Sequence, residues 1–419
     1  MKRDRTTSQN PLWTRDFTIL TAGTVVSMFG NALAFFAMDL MVLDITGSTL
    51  MFAIYHILYM LPNALAPVLI GPFLDRFSRK KTIYTLDFLT AGLFAVLTVL
   101  LLTGHTGIGI LAAANFLLGA IGGIYFVAYD SFYPLLIREG NFNKAYSVSA
   151  SLETLSMVMV PLSALIYNTL GIVPLFVANT LSYLAAAILE TQIRTEEPYI
   201  ERRKRDDAAP AGLRRFTADF REGLRYLAGE AGLLAIAVYF FFSSLAGGMT
   251  EVVTLPYFRN TFANGEYVYM LTWGMCSAAR FLGGILHYNL KLPEKAKYAI
   301  ALTVYISIAV LEGSYLFFPV PVMMVMTFAV GILGVTSYTI RISATQKYVP
   351  DEKKGRFNGA FNTLMTVGMV IGQAAAGGLS AAVSERTVVV TANALCLAAA
   401  VLVIGGSRRE VSRIYNTQA

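Results

Sequence analysis

Charge is what this sequence of 419 residues has least of. Asp, Glu, Lys and Arg make up 14% of it, against 56% hydrophobic residues. A soluble chain carries about 25% charged residues, so a water-facing globule of this size is excluded. Cysteine is nearly absent. Cys276 and Cys396 both lie inside apolar stretches, which leaves no disulfide framework and no metal-ligand spacing. No G-x-x-x-x-G-K-[ST] string occurs, so no P-loop for ATP is encoded. No Ser/His/Asp, metal or phosphate-binding arrangement emerges either, which speaks against an enzyme and against any bound cofactor.

What the chain has in abundance is apolar runs long enough to cross a bilayer core of about 30 Å as helices. Hydropathy places twelve spans, at roughly 17–43, 49–70, 82–103, 108–132, 147–170, 173–192, 232–256, 266–289, 297–318, 320–343, 358–383 and 387–406. The class is an all-α membrane protein. Ala32-Leu33-Ala34 resembles a signal-peptidase site. The apolar run continues to Leu43, however, and reads as an uncleaved first span.

The bases fix an orientation. With the N-terminus in the cytoplasm, 29 of the 33 Lys and Arg residues fall in inner segments. Arg259 and Arg386 fall outside, and Arg280 and Arg341 lie within spans. Both termini are then cytoplasmic, and the net charge of +7 orients the chain in a plasma membrane without calling for nucleic acid. In "LIGPFLDRFSRKKTI" (Leu69 to Ile83), Arg76, Arg79, Lys80 and Lys81 serve as an inner anchor. Asp75 is left unexplained by that role.

The chain also repeats itself. "YPLLIREGNFNKAYSV" (Tyr133 to Val148) and "VPDEKKGRFNGAFNTL" (Val349 to Leu364) align Pro134 with Pro350, Phe142-Asn143 with Phe357-Asn358, and Ala145 with Ala360. Six spans and a tandem copy share one orientation, a parallel repeat. The expected domains are a six-helix bundle at 1–192, a charged linker at 193–231 and a second bundle at 232–419. In the linker, Leu213, Phe216, Phe220, Leu224 and Leu227 recur at three- and four-residue steps. They predict an amphipathic helix lying on the inner leaflet.

At this point the sequence resembles a known family. "GPFLDRFSRKK" is similar to the loop between the second and third spans of the major facilitator superfamily. "DITGS", "FREGLRYL" and "VPDEKKGRFNGA" resemble its macrolide-efflux branch of drug:proton antiporters. The resemblance implies two parallel six-helix bundles and a cavity lined by spans one, four, seven and ten. It also implies an inner latch of Gly71, Asp75, Arg76, Arg79, Lys80 and Asp130. Asp75 would face the positive N-terminal end of the eleventh helix, near Arg356 to Gly359. Two departures stand out. The fifth span keeps Pro161 without a preceding glycine, and the second copy of the loop, "LHYNLKLPEKAK", has lost its aspartate.

Charges within spans cost about 2.5–3.5 kcal/mol each on insertion scales, so they mark candidates. Asn31, Phe35 and Asp39 share one helical face, as do Tyr239, Ser243, Gly247 and Glu251. Asp39 and Glu251 are candidates for proton coupling, with outer-gate hydrogen bonding as the alternative for both. Glu153 is a third candidate, and it is also a partner for Arg280 in an interface ion pair. Asp87 is expected to reach interfacial water, Glu312 to be peripheral, and His56 to pack rather than relay protons. Asn31, Phe35, Phe126, Tyr129, Tyr239, Ser243, Tyr338 and Arg341 are the candidate lining of the substrate cavity. Such an aromatic wall suits bulky amphipathic compounds. The reading is a monomeric, proton-gradient-driven exporter of a small hydrophobic substrate. A lipid or lysolipid flippase is the alternative, and a membrane receptor or scaffold is a weaker third.

Overall fold

In the computed structural model the described residues are 11–416, without 75–76, 106, 139–140, 142–143, 146–147, 150–151, 153–158, 198–212 and 290–291. Among them there is helix and turn and no strand. The helices are α1 (Arg15–Thr46), α2 (Thr49–Leu74), α3 (Arg79–Leu102), α4 (Ile108–Phe132), α5 (Met159–Leu170), α6 (Val173–Glu190) and α7 (Leu213–Gly229). They continue with α8 (Ala231–Thr261), α9 (Gly265–Asn289), α10 (Lys297–Ser314), α11 (Val320–Tyr348), α12 (Asp351–Leu379), α13 (Glu385–Ala398) and α14 (Arg408–Tyr415).

Nine helical segments among the described residues are long and apolar enough to cross a membrane. The expected fifth, eighth and eleventh spans are not among those nine. The described part of the fifth, α5, is only twelve residues long. α9 and α12 have the length but dilute their apolar residues with glycine and charge, as in "DEKKGRFNGAF" at the start of α12.

The chain divides into two compact units, residues 1–47 with 58–213 and residues 48–57 with 214–419. In the first, α1 packs on α5 and α6, and α3 packs on α4 and α6. Phe17, Leu20, Ile83, Ala128 and Phe132 form a fully buried cluster there. In the second, α8 packs on α12 and α13, and α9 on α11. Backbone-to-backbone approach sets the helix spacing in both. A β-carbon on Gly119 of α4 would stand 2.2 Å from the Tyr59 carbonyl of α2, and one on Gly248 of α8 would stand 2.2 Å from the Met369 carbonyl of α12. Hydrogen alone fits at either position.

Of the repeated strings, Phe142 and Asn143 lie outside the described residues. Ala145 and Ala360 are both fully buried, and Pro350 caps the start of α12. The amphipathic linker segment is helical as expected, from Leu213 to Gly229. Its placement differs from the sequence expectation. Rather than facing only lipid, Leu224 and Leu227 line an apolar cavity of about 440 Å³ with Ala237, Val238, Phe241 and Leu364 of α8 and α12. Glu222 accepts a hydrogen bond from Arg356, and the Lys353 ammonium sits 4.6 Å from the Tyr226 ring centre. α8 and Leu364 of α12 thus face Leu224 and Leu227, while the start of α12 meets Glu222 and Tyr226 of α7.

Candidate functional site

The base-rich loop is the best-specified surface feature of the first unit. Asp75 and Arg76 lie outside the described residues, and Gly71 falls within α2. Beyond them Ser78 caps α3 by accepting from the Lys81 amide at 3.2 Å, and its hydroxyl donates to Glu197. The Arg79 amide donates to the other Glu197 oxygen at 2.7 Å. The Arg79 guanidinium reaches the Ser131 carbonyl at 2.9 Å, one residue beyond Asp130. Lys80 donates to the Thr195 carbonyl at 2.9 Å, and Asp16 accepts from the Arg194 and Thr195 amides at 3.0 and 2.7 Å. Glu197, which the sequence did not single out, ties this loop to the segment after α6, and Asp16 of α1 holds that segment in turn.

Within the helices of the same unit lies a cavity of about 170 Å³. α1 lines it with Thr24, Ser27, Asn31 and Phe35, α2 with Tyr59, α3 with Asp87 and Thr90, α4 with Gly122 and Tyr125, and α6 with Tyr183. Asn31 and Phe35 are therefore cavity-lining, although this cavity belongs to one bundle. Asp39, one turn further along the same face, is half-buried and is not part of the lining. Tyr129 stacks between Tyr125 and Tyr133, with ring centres 5.8 and 5.4 Å away. Phe126, on the next position of α4, is 66% exposed.

Asp87 corrects the expectation that it reaches interfacial water. It is 1% exposed, because its face of α3 is turned onto α6. There it meets Glu190, also 1% exposed, which lies inside the sixth span and was not among the intramembrane charges singled out from the sequence. A signal was available. Glu190 follows Tyr183 by seven residues on one helical face, and it closes the apolar run "SYLAAAILE".

The second unit treats its charges differently. Tyr239 is 2% exposed and stacked on Tyr305 at 4.2 Å, with its hydroxyl 4.0 Å from the Cys396 sulfur. This corrects its expected place in a cavity wall. Its face of α8 is covered by α10 and α13, and the ring is core. Ser243, one turn on, is half-buried. Glu251 accepts a hydrogen bond from Gln373 Nε2 at 3.1 Å.

Glu312, expected to be peripheral, lines a void of about 20 Å³ with Thr250, Trp273, Cys276 and Tyr315, a space that fits about one water. Arg280 is exposed. Glu153, the expected partner of Arg280, lies outside the described residues. Arg341 is 7% exposed and caged by rings, its guanidinium 4.8 Å from the centre of Phe361, 4.9 Å from Phe240 and 5.5 Å from Tyr338. Tyr338 itself is 60% exposed. Among the described residues no three His, Cys, Asp or Glu side chains gather as metal ligands.

Known proteins share this organisation. An uncharacterized MFS-type transporter of Bacillus subtilis, YkuC, is 26% identical over 249 residues, 59% of this chain and 56% of its own length. Macrolide efflux protein A of Streptococcus pyogenes is 24% identical over 254 residues, 59% of this chain and 61% of its own. The match thus spans less than two thirds of the length of these relatives. In fold, the chain resembles a bacterial homologue of the iron transporter ferroportin in an inward-facing state. The TM-score is 0.70 at 15% identity, over 95% of this chain and 99% of that one. The family model of the Major Facilitator Superfamily matches residues 20–372. The apolar helices, the loop that follows α2 and this match agree: the chain belongs to the Major Facilitator Superfamily, a family of multi-pass membrane transporters and not of enzymes.

Proposed function

We propose that the protein is a secondary transporter of the plasma membrane, with both termini cytoplasmic, that exports hydrophobic or amphipathic small molecules in exchange for protons. Its states would interconvert by alternating access. The observation that carries this reading is the presence of acids inside apolar helices of both units, Glu251 among them, bonded to an amide and not to a base. A receptor or scaffold has no use for such costly groups. The likeness to proteins named for macrolide efflux supports the substrate class, as do the exposed rings of Phe126 and Tyr338. The inner latch read from Gly71, Asp75, Arg76, Arg79, Lys80 and Asp130, and the coupling roles of Asp39, Glu251 and Glu153, belong to this proposal.

Export of macrolides, dyes and lysolipids should be measured in inside-out vesicles from a host stripped of its own pumps, with an uncoupler as control. Asp39→Asn is expected to abolish gradient-driven export while the protein remains folded. Undiminished export would remove Asp39 from the mechanism. The apolar cavity between α7, α8 and α12 favours a second reading, a lipid flippase. Lysolipid movement without drug export in the same vesicles would select it.

A further inference from the structure

Two carboxylic acids are buried side by side in the first unit. Asp87 of α3 and Glu190 of α6 are each 1% exposed, and their carboxyls are within hydrogen-bonding reach of one another. Among the described residues no donor reaches Asp87 Oδ2 or either oxygen of Glu190. Among the described residues no lysine, arginine or histidine is among the groups that act on them. The titratable groups that face them are phenols: Tyr125 and Tyr129 from α4, Tyr183 from α6 and Tyr59 from α2. α1 contributes Thr21 and Thr24, which share a face. The Thr21 hydroxyl is buried without a partner.

Two ionised carboxylates cannot rest like this. Each ion would lose its hydration at a cost of several kcal/mol, and like charges in contact add to that. Two ionised carboxylates are acceptors only, so neither could bond the other. Glu190 is also the last residue of α6, where the helix dipole is negative and opposes an anion. One proton placed between the carboxyls removes a charge and turns the contact into a hydrogen bond.

The cavity supplies the route for that proton. Asp87 lines it, with the unpartnered amide oxygen of Asn31 and the hydroxyls of Ser27, Thr90 and Tyr59. At about 170 Å³ it exceeds the space of a single water several-fold. α1 feels the site directly, because a β-carbon on Gly23 would stand 3.0 Å from Glu190 Oε1.

We infer that Asp87 and Glu190 form a proton-binding carboxyl pair, holding one proton between them and exchanging it with water in the cavity of the first unit. The step is an acid–base exchange. A carboxyl O–H bond breaks as a water oxygen takes the proton, leaving a carboxylate, and the reverse step restores it. Its place in a transport cycle rests on the export reading above.

The test uses the full-length protein in liposomes and needs no substrate. Dicyclohexylcarbodiimide, an apolar reagent, modifies protonated carboxyls, and peptide mass spectrometry locates the products. Labelling is expected at Asp87 or Glu190, persisting at neutral pH and falling as the pH is raised. In Asp87→Asn the fall at Glu190 should come about one pH unit earlier, because the partner that shares its proton is gone. Absence of labelling at both residues at every pH would overturn the inference. So would a Glu190 profile unchanged by Asp87→Asn. Protection by calcium or manganese ions, instead of by high pH, would make the pair a metal site and also overturn it. A labelled pair in a protein that exports nothing would sink the export reading alone.

Discussion

The two units solve the problem of charge in an apolar body in opposite ways. The first places two acids together beside a polar cavity, with phenols and, among the described residues, no base around them. The second gives each charge its own answer. Glu251 takes an amide, Glu312 lies beside a void of water size, and Arg341 is wrapped by three rings. A settled charge is structure. An acid pair that needs a mobile proton to be stable is a device. On the inference above, this asymmetry makes Asp87 and Glu190 stronger candidates for proton exchange than Glu251, although the sequence reads as a parallel repeat.

After the loss expected of Asp39→Asn, the largest effect should separate the units outright. Glu190→Gln or Asp87→Asn should lower gradient-driven export in inside-out vesicles by about a hundredfold. Glu312→Gln should change it by less than about twofold, since the amide can still bond a water in its void. Equal losses would erase the contrast. Next in size is a pair of changes expected to act alike. Gly119→Ala and Gly248→Ala each force a methyl against a carbonyl of the neighbouring helix. Each should cost about 1–3 kcal/mol in detergent unfolding. A smaller loss belongs to the second unit alone. Arg341→Lys exchanges a planar cation for a compact one in a cage of rings and should cost about 0.5–2 kcal/mol. The smallest belongs to Glu251→Gln. Its carbonyl oxygen can still accept from Gln373, so unfolding should move by no more than about 0.5 kcal/mol.

Much of the architecture was legible because membrane insertion writes itself into composition. Runs of apolar residues gave most of the helices and the class. The loop after α2 gave the family. Side-chain direction was not legible. Tyr239 and Glu251 lie on one helical face by count, yet Tyr239 is covered by α10 and α13, while Glu251 turns to Gln373 of α12. Asp87 was misjudged by its distance from the end of α3, when the neighbouring helix decided its burial. Glu190 lies within the sixth span, but its meaning depends on Asp87 of another helix, a pairing that hydropathy along one span does not register. The linker helix was recognised by its periodicity, but which surface would cover its apolar face depends on α8 and α12, far away in sequence.

A potentiometric titration of the purified wild-type protein against the Asp87→Asn/Glu190→Gln double variant tests the central claim most directly. The difference between the two curves counts the protons held by these two side chains alone. The account predicts that about one proton per chain remains in that difference at neutral pH and leaves only on further alkalinisation. A difference confined to the acidic range where exposed carboxyls titrate would contradict it.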